Sequence, residues 1–246
     1  MTNNVMLDNI SHSDLRVITR HSAEYGDNVG TVQVFPSEFE ALQKEYPIFF
    51  RIDPNSNQYQ AVAMLGIAQE ENLFLDGNGW NANYIPAVIN RGPFLIGFQD
   101  QSADGGEEKA PVVHVNMDSP RISKTEGETV FTEFGGQTAY LNNVNTILMN
   151  LYQGVQVSQT LYDTFTALDL IESVNLDIEL TNGERHRLHG NYTISEEKLM
   201  ALDGNALAKL NASGALKIAY QLITSMGNVK NLVDMKNRQL ATTNNT

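Results

Sequence analysis

The chain has 246 residues, enough to bury about 70–75% of the surface its unfolded form exposes, so a sizeable core forms without disulfides or a structural metal. It contains no cysteine, which excludes disulfide scaffolds, thiolate zinc sites, cysteine-ligated iron–sulfur clusters and cysteine nucleophiles. Sixteen Lys and Arg against twenty-nine Asp and Glu give a formal charge of −13, which repels nucleic-acid phosphates and anionic lipid head groups. The first residues, MTNNVMLDNISHSDLRV, lack the basic segment and the apolar run of about 7–15 residues that a secretory signal needs. The longest apolar stretches, such as residues 61–67, fall far short of the roughly 20 that span a bilayer. These features lead us to expect a soluble, cytoplasmic protein.

Residues 1–28 are largely polar, with Leu15, Val17 and Ile18 as the main apolar anchors, and read as an extended arm or edge strand laid on the body. Residues 29–35 carry an apolar run before Pro36. Ser37 followed three residues later by Glu40 predicts a capping box opening a helix over residues 39–46. Residues 47–52 and 58–65 are β-prone runs separated by Asp53, Pro54, Asn55, Ser56 and Asn57, which predicts a hairpin. Residues 72–75 form a third strand before Asp76-Gly77-Asn78-Gly79, whose glycines admit left-handed turn geometry. Helix is expected within residues 81–90, with Pro86 in its first turn or kinking it. Residues 94–98 and 112–115 read as buried strands, with an exposed acidic, Gly-rich loop over residues 100–109 between them.

A soft stretch over residues 119–136 precedes a change of period from two to about 3.6. Leu141, Val144, Leu148 and Leu151 recur at helical spacing, as do Val157, Leu161, Phe165 and Leu168. Val174, Leu176, Ile178 and Leu180 then alternate with polar residues up to Asn182-Gly183, a strong hairpin signal whose partner strand runs to about Ile194. Ser195 is placed to cap a following helix, with Glu196 and Glu197 on its positive end. Helical segments continue through residues 206–210 and 215–226.

The blocks EYPIFF, QYQAVAMLG, ENLFLDGNGWNANYIPAVINRGPFLIGF, VHVNMDSPRISKTEGETVF and LHGNYTISEEKLMALDGNALAKLNASGALKIAYQLITSMGNVKNL occur in an order that resembles the SapC family over about residues 10–235. The resemblance implies a connection with bacterial surface layers. It also implies genomic neighbours that include cupin-like oxygenases, flavin-dependent tryptophan halogenases and TonB-dependent receptors. Many members carry a peptide-transporter permease label, which the hydropathy of this chain contradicts. The family supplies no established catalytic residues.

Local chemistry is sparse. His186 and His189 lie three apart on a strand and so point to opposite faces, which does not suit a shared metal ion. His114, Asn116 and Asp118 share a face, but the outer two are about 13 Å apart at strand rise. Ser195 and Lys198 match a Ser-x-x-Lys spacing without the accompanying motifs, and helix capping accounts for the serine. Gly135-Gly136-Gln137 reads as a turn, and Asp76-Gly77-Asn78-Gly79 lacks the distal Glu of a calcium loop. No phosphate-binding glycine loop occurs.

The remaining cluster, Trp80, Asn81, Tyr84, Arg91 and Phe94, combines aromatics and an Arg near turns, the composition of binding hot spots and also of cores. His114, Asp118 and Arg121 form a weaker polar alternative.

The expected fold is α+β. Its strand-rich N-terminal region covers residues 1–123, its helix-rich C-terminal region residues 124–240 with an inserted β-hairpin, packed as one unit, and residues 241–246 form a polar tail. The expected function, implied by the resemblance, is that of a non-catalytic accessory or binding protein. It would use a protein partner, such as a cupin-like oxygenase or flavin-dependent tryptophan halogenase system, and no cofactor. An enzyme with an unrecognised site, or a surface-layer structural protein, are the alternatives. Since the chain has no Cys and only five His without compatible local spacing, chelator-free protein should carry well under one equivalent of iron or zinc. A stoichiometric metal, lost on substituting His114 or His186, would contradict that expectation.

Overall fold

The computed structural model describes residues 3–100 and 109–243. Most of the expected acidic loop and the end of the expected tail lie outside those residues. In chain order the first elements are strands β1 (Asn4–Met6), β2 (Arg16–Val17) and β3 (Thr31–Gln33), helix α1 (Phe39–Leu42), strands β4 (Ile48–Ile52) and β5 (Tyr59–Met64), and the short pair β6 (Leu75–Asp76) and β7 (Gly79–Trp80). Helix α2 (Ala87–Asn90), strands β8 (Phe94–Asp100), β9 (Lys109–Asn116), β10 (Ile122–Ser123) and β11 (Glu128–Thr129), and helix α3 (Ala139–Ala167) follow. The chain closes with strands β12 (Ile171–Glu179) and β13 (Arg185–Ile194) and helices α4 (Glu196–Met200), α5 (Gly204–Ala212), α6 (Ala215–Ser225) and α7 (Asn228–Thr243). The fold is α+β, with strands concentrated in the N-terminal half and helices in the C-terminal half.

Most expected elements form, and the differences have local causes. The two apolar stripes at residues 141–168 belong to one helix, α3, because no Pro interrupts the run. The start of α1 differs from the capping box at Ser37. A 3₁₀ turn over Pro36–Glu38 comes first, and Glu38, not Glu40, reaches back, accepting from the Phe35 N–H at 3.0 Å. Pro36 fixes this earlier start because its locked φ suits the first position of a helical turn. Glu40 instead pairs with Lys217. Ser195 occupies the N-cap of α4 without a side-chain bond, whereas Asp203 caps α5 by accepting from the Ala206 N–H at 2.8 Å.

The chain divides into two compact units that interleave in sequence. The first comprises Met1–Asp27 and Ala87–Gln153, the second Asn28–Pro86 and Gly154–Thr246.

In the first unit, β1, β9 and β8 form an antiparallel sheet in that order, and β10, β2 and β11 form a smaller one. Period-two alternation turns Val115 and Phe94, directly paired across β9 and β8, into a core completed by Leu15, Val17 and Val130. Leu141, Val144 and Leu148, on one stripe of α3, close the same core.

In the second unit the sheet order is β12-β13-β4-β5-β3. The β4–β5 hairpin closes at Ile52 opposite Tyr59, and Asn57 adopts a φ of 55° in the turn. Strand β4 is buried from Ile48 to Phe50, and Phe50 meets Tyr162 and Phe165 of α3 at ring separations of 5.0 and 6.4 Å. Helix α6 packs on β4 and β13, and the Ser225 hydroxyl at its end accepts from the Ile48 N–H at 3.1 Å.

Two glycines permit a close backbone approach in this unit. The Gly30 carbonyl accepts from both the Leu65 and Gly66 N–H groups, and a Cβ at Gly66 would stand 2.2 Å from the Glu71 carbonyl oxygen. The obstruction is backbone, which cannot swing aside as a side chain does. Gly66→Ala should therefore lower unfolding free energy by about 1–3 kcal/mol, read as a fall in denaturant midpoint with little change in slope.

Candidate partner-binding groove

In the first unit two short turns display large apolar side chains to solvent. One follows β1: the Asp8 carboxylate accepts from the Ile10 and Ser11 N–H groups at 2.9 and 2.7 Å. This Asp-anchored turn is the local alternative to helix or sheet that a short carboxylate side chain favours. It leaves Ile10 85% exposed. The other turn joins Phe131 to its bridge partner Gln137, with the Thr132 N–H donating to the Gly136 carbonyl at 2.8 Å and Gly135 at a φ of 78°. At its tip Phe134 is 95% exposed. The Asn9 amide donates to the Gly135 carbonyl at 2.9 Å and so ties the residue before Ile10 to the residue after Phe134.

Beside these turns lies a groove of about 370 Å³ whose apolar walls include Met6, Val112, Val113 and Leu141. Its lining also includes Asn145, whose amide donates to Gln137 at 3.0 Å while its carbonyl oxygen is buried without a hydrogen-bond partner among the described residues. A buried acceptor left in this state costs about 1–3 kcal/mol, and an incoming N–H or ammonium would recover it. Hydrogen bonds from the Ser11 and Ile10 backbone hold the Asp8 carboxyl below the usual range, so this groove residue is negative at neutral pH. The arrangement can take an apolar side chain accompanied by a donor or a positive charge.

The residues expected from sequence to form a binding cluster separate into two groups. Trp80, Asn81 and Tyr84 lie in the second unit, where the Trp80 indole donates to the Tyr46 hydroxyl at 2.9 Å and that hydroxyl donates to the Tyr84 carbonyl at 2.6 Å. The Tyr84 hydroxyl donates to Glu38 at 3.1 Å, and the Asn81 N–H donates to the Phe74 carbonyl at 2.7 Å. Burial pushes both tyrosine hydroxyls well above their ordinary pKa, with the Glu38 charge adding to the rise at Tyr84, so both remain neutral donors. The half-buried Arg91 and the buried Phe94 lie in the first unit, joined by a bond from the guanidinium to the Phe94 carbonyl. Burial lowers the Arg91 pKa from its ordinary value.

His114, Asp118 and Arg121 each have separate engagements. The His114 ring lies across Gly97, where a Cβ would stand 2.5 Å from it. Asp118 accepts from the Asn3 N–H at 2.8 Å. Arg121 is 5% exposed and donates to both Asp27 oxygens at 2.7 and 2.6 Å and to the Ile18 and Arg20 carbonyls, each at 2.9 Å. Its guanidinium also lies 5.4 Å from the Tyr25 ring centroid.

Ile10 and Phe134 escape a periodicity search because each stands alone among polar turn residues. The sequence signal is that isolation: large apolar residues within Asp8-Asn9-Ile10-Ser11 and Glu133-Phe134-Gly135-Gly136 have no strand or helix to bury them.

The SapC family model matches residues 7–232, and the chain belongs to the SapC family. No curated protein and no solved structure matches it.

Burial raises the Asp27 carboxyl, but hydrogen bonds from His21 and Arg121 and the Arg121 charge outweigh it, leaving the pKa below its ordinary value. A depressed folded pKa contributes stability above the unfolded value, about 3.9, which is lost as pH falls from there through the folded value. Arg121→Met should destabilise the protein by about 3–5 kcal/mol at neutral pH, because Asp27 stays buried without the guanidinium charge and keeps only its weaker contacts, among them those with His21 and the Ser22 N–H. Acidification from neutral pH should then raise the melting temperature of the variant, as the stranded carboxylate takes up a proton, while the parent gains nothing from it.

Proposed function

We propose that this SapC-family protein is a non-catalytic accessory protein that binds another protein through the groove and paired turns of its first unit. The observation that carries the reading is the rigid display of Ile10 and Phe134, 85% and 95% exposed on hydrogen-bonded turns joined by Asn9. Isolated surface apolar residues are ordinary, but these two stand on turns joined by a hydrogen bond, and both turns contribute to the lining of a partly apolar groove, which leaves hydration free energy to be recovered on docking. The fitting partner is a protein segment carrying an apolar side chain flanked by Lys or Arg. Asp8 supplies negative charge in the groove, Glu133 precedes Phe134, and the chain as a whole carries −13. A cupin-like oxygenase or flavin-dependent tryptophan halogenase system, as the family resemblance implies, is the first partner class to test.

Tagged protein should recover one such partner from native extract. The double variant Ile10→Ser, Phe134→Ser should weaken the reconstituted complex at least tenfold, about 1.4 kcal/mol, with the melting temperature unchanged, because neither side chain is part of the core. Added salt should weaken the parent complex as well. Equal affinity of the double variant for the same partner would sink the proposal.

A further inference from the structure

The second unit contains a separate cleft of about 230 Å³ bounded by strand β5, the turn that precedes it and helix α3. Ser158 and Tyr162, one turn apart on α3, are 8% and 3% exposed, and both line the cleft. The Ser158 hydroxyl donates to the Gly154 carbonyl at 2.7 Å. The Tyr162 hydroxyl is buried without a hydrogen bond of ordinary geometry among the described residues, with the Ser158 hydroxyl and the Ala61 backbone near enough to oppose the effect of burial on its pKa. Its pKa is pushed up to about 12, chiefly by burial, so at neutral pH it keeps its proton and can donate.

The rest of the lining narrows the chemistry that could satisfy it. Gln33, Gln58, Gln60 and Gln159 bring neutral amides, the last also donating to Asp163 at 2.7 Å, Tyr59 brings a half-exposed ring, and among the described residues no Lys, Arg or His lines the cleft. The one carboxylate, Asp53, already accepts from the Asn55 backbone and from the Ser56 hydroxyl at 3.1 and 2.8 Å. An anion would therefore meet a carboxylate without a compensating cation, and desolvating it there is unfavourable. A small neutral ring edged with hydroxyls suits the set: its edges pair with amides and hydroxyls and its C–H face can lie on an aromatic ring. The volume lies below the roughly 300–1,000 Å³ of sites for drug-sized molecules, which limits the occupant to about one ring.

We infer that this cleft binds a neutral polyhydroxylated molecule of the size of a single sugar ring. The full-length protein labelled with ¹⁵N can be titrated separately with D-glucose, N-acetyl-D-glucosamine and inorganic phosphate, each up to about 50 mM, a range that reads weak single-ring affinities. The Gln33, Gln60 and Gln159 side-chain amide signals should move with at least one sugar and stay in place with phosphate. Tyr162→Phe removes a buried hydroxyl that makes no hydrogen bond of ordinary geometry, so its melting temperature should change little, while sugar affinity should fall about three- to tenfold. Gln159→Leu, an independent change on the cleft wall, should weaken the sugar in the same direction. Stationary signals with both sugars, a response to phosphate in place of sugar, or undiminished affinity of Tyr162→Phe would each overturn the inference.

Discussion

Strand β4 is the constraint on which the second unit depends. It pairs along its length with β5, its neighbour in sequence, and at Phe50 with Tyr192 of β13, a partner more than a hundred residues later. Phe50 is fully buried, in ring contact with Tyr59, Tyr162 and Phe165. Fully burying such a side chain contributes about 1.5–3 kcal/mol, and edge-to-face aromatic geometry adds about 0.5–1.5 kcal/mol. One residue thus joins an early hairpin to the late β12–β13 hairpin and to α3. Because those pairings close long loops, the unit gains them only after most of the chain has been made.

The first unit places a different kind of interaction at its centre. Arg121 and Asp27 are both buried, and the guanidinium also takes the Ile18 and Arg20 carbonyls. These bonds engage backbone acceptors of the early arm beyond β2 and tie residues 18–27 to the residue just before β10. A buried ion pair of this type contributes little net stability over an apolar substitute, yet removing one member strands the other. Its role in the fold is therefore to fix a path, while the apolar cluster around Phe94, Val115 and Leu141 supplies the favourable free energy.

That division leaves surface features to be weighed separately. Trp80 and Tyr84, which the sequence presents as binding aromatics, hold the 72–86 segment to Tyr46 and Glu38 through directed hydrogen bonds. The β9 edge beyond β1 carries Pro111, which lacks an N–H and discourages strand addition there. In the proposed docking mode, hydrogen bonds within the turn pair lower the entropy lost on association. A partner that recovers the Asn145 acceptor gains directionality that apolar contact alone does not provide.

The sequence by itself determined what local patterns encode. Turn residues at 53–57, at 76–79 and at Asn182-Gly183 set three hairpins, the 3.6-residue stripe set α3, and the ordered blocks set the family. Each of those signals lies within one local segment or in the order of blocks along the chain, so no knowledge of the fold is needed to read it. Only the tertiary structure decided that the chain interleaves into two units, that Tyr192 meets Phe50, and that Arg121 reaches Asp27 across 94 residues of sequence. It also decided which aromatics are enclosed and which stand in water: Trp80 bonds inward, whereas Phe134 remains 95% exposed. The physical reason is that burial and long-range pairing follow from which surfaces meet, and a residue's type fixes only what it would cost or gain once that meeting occurs.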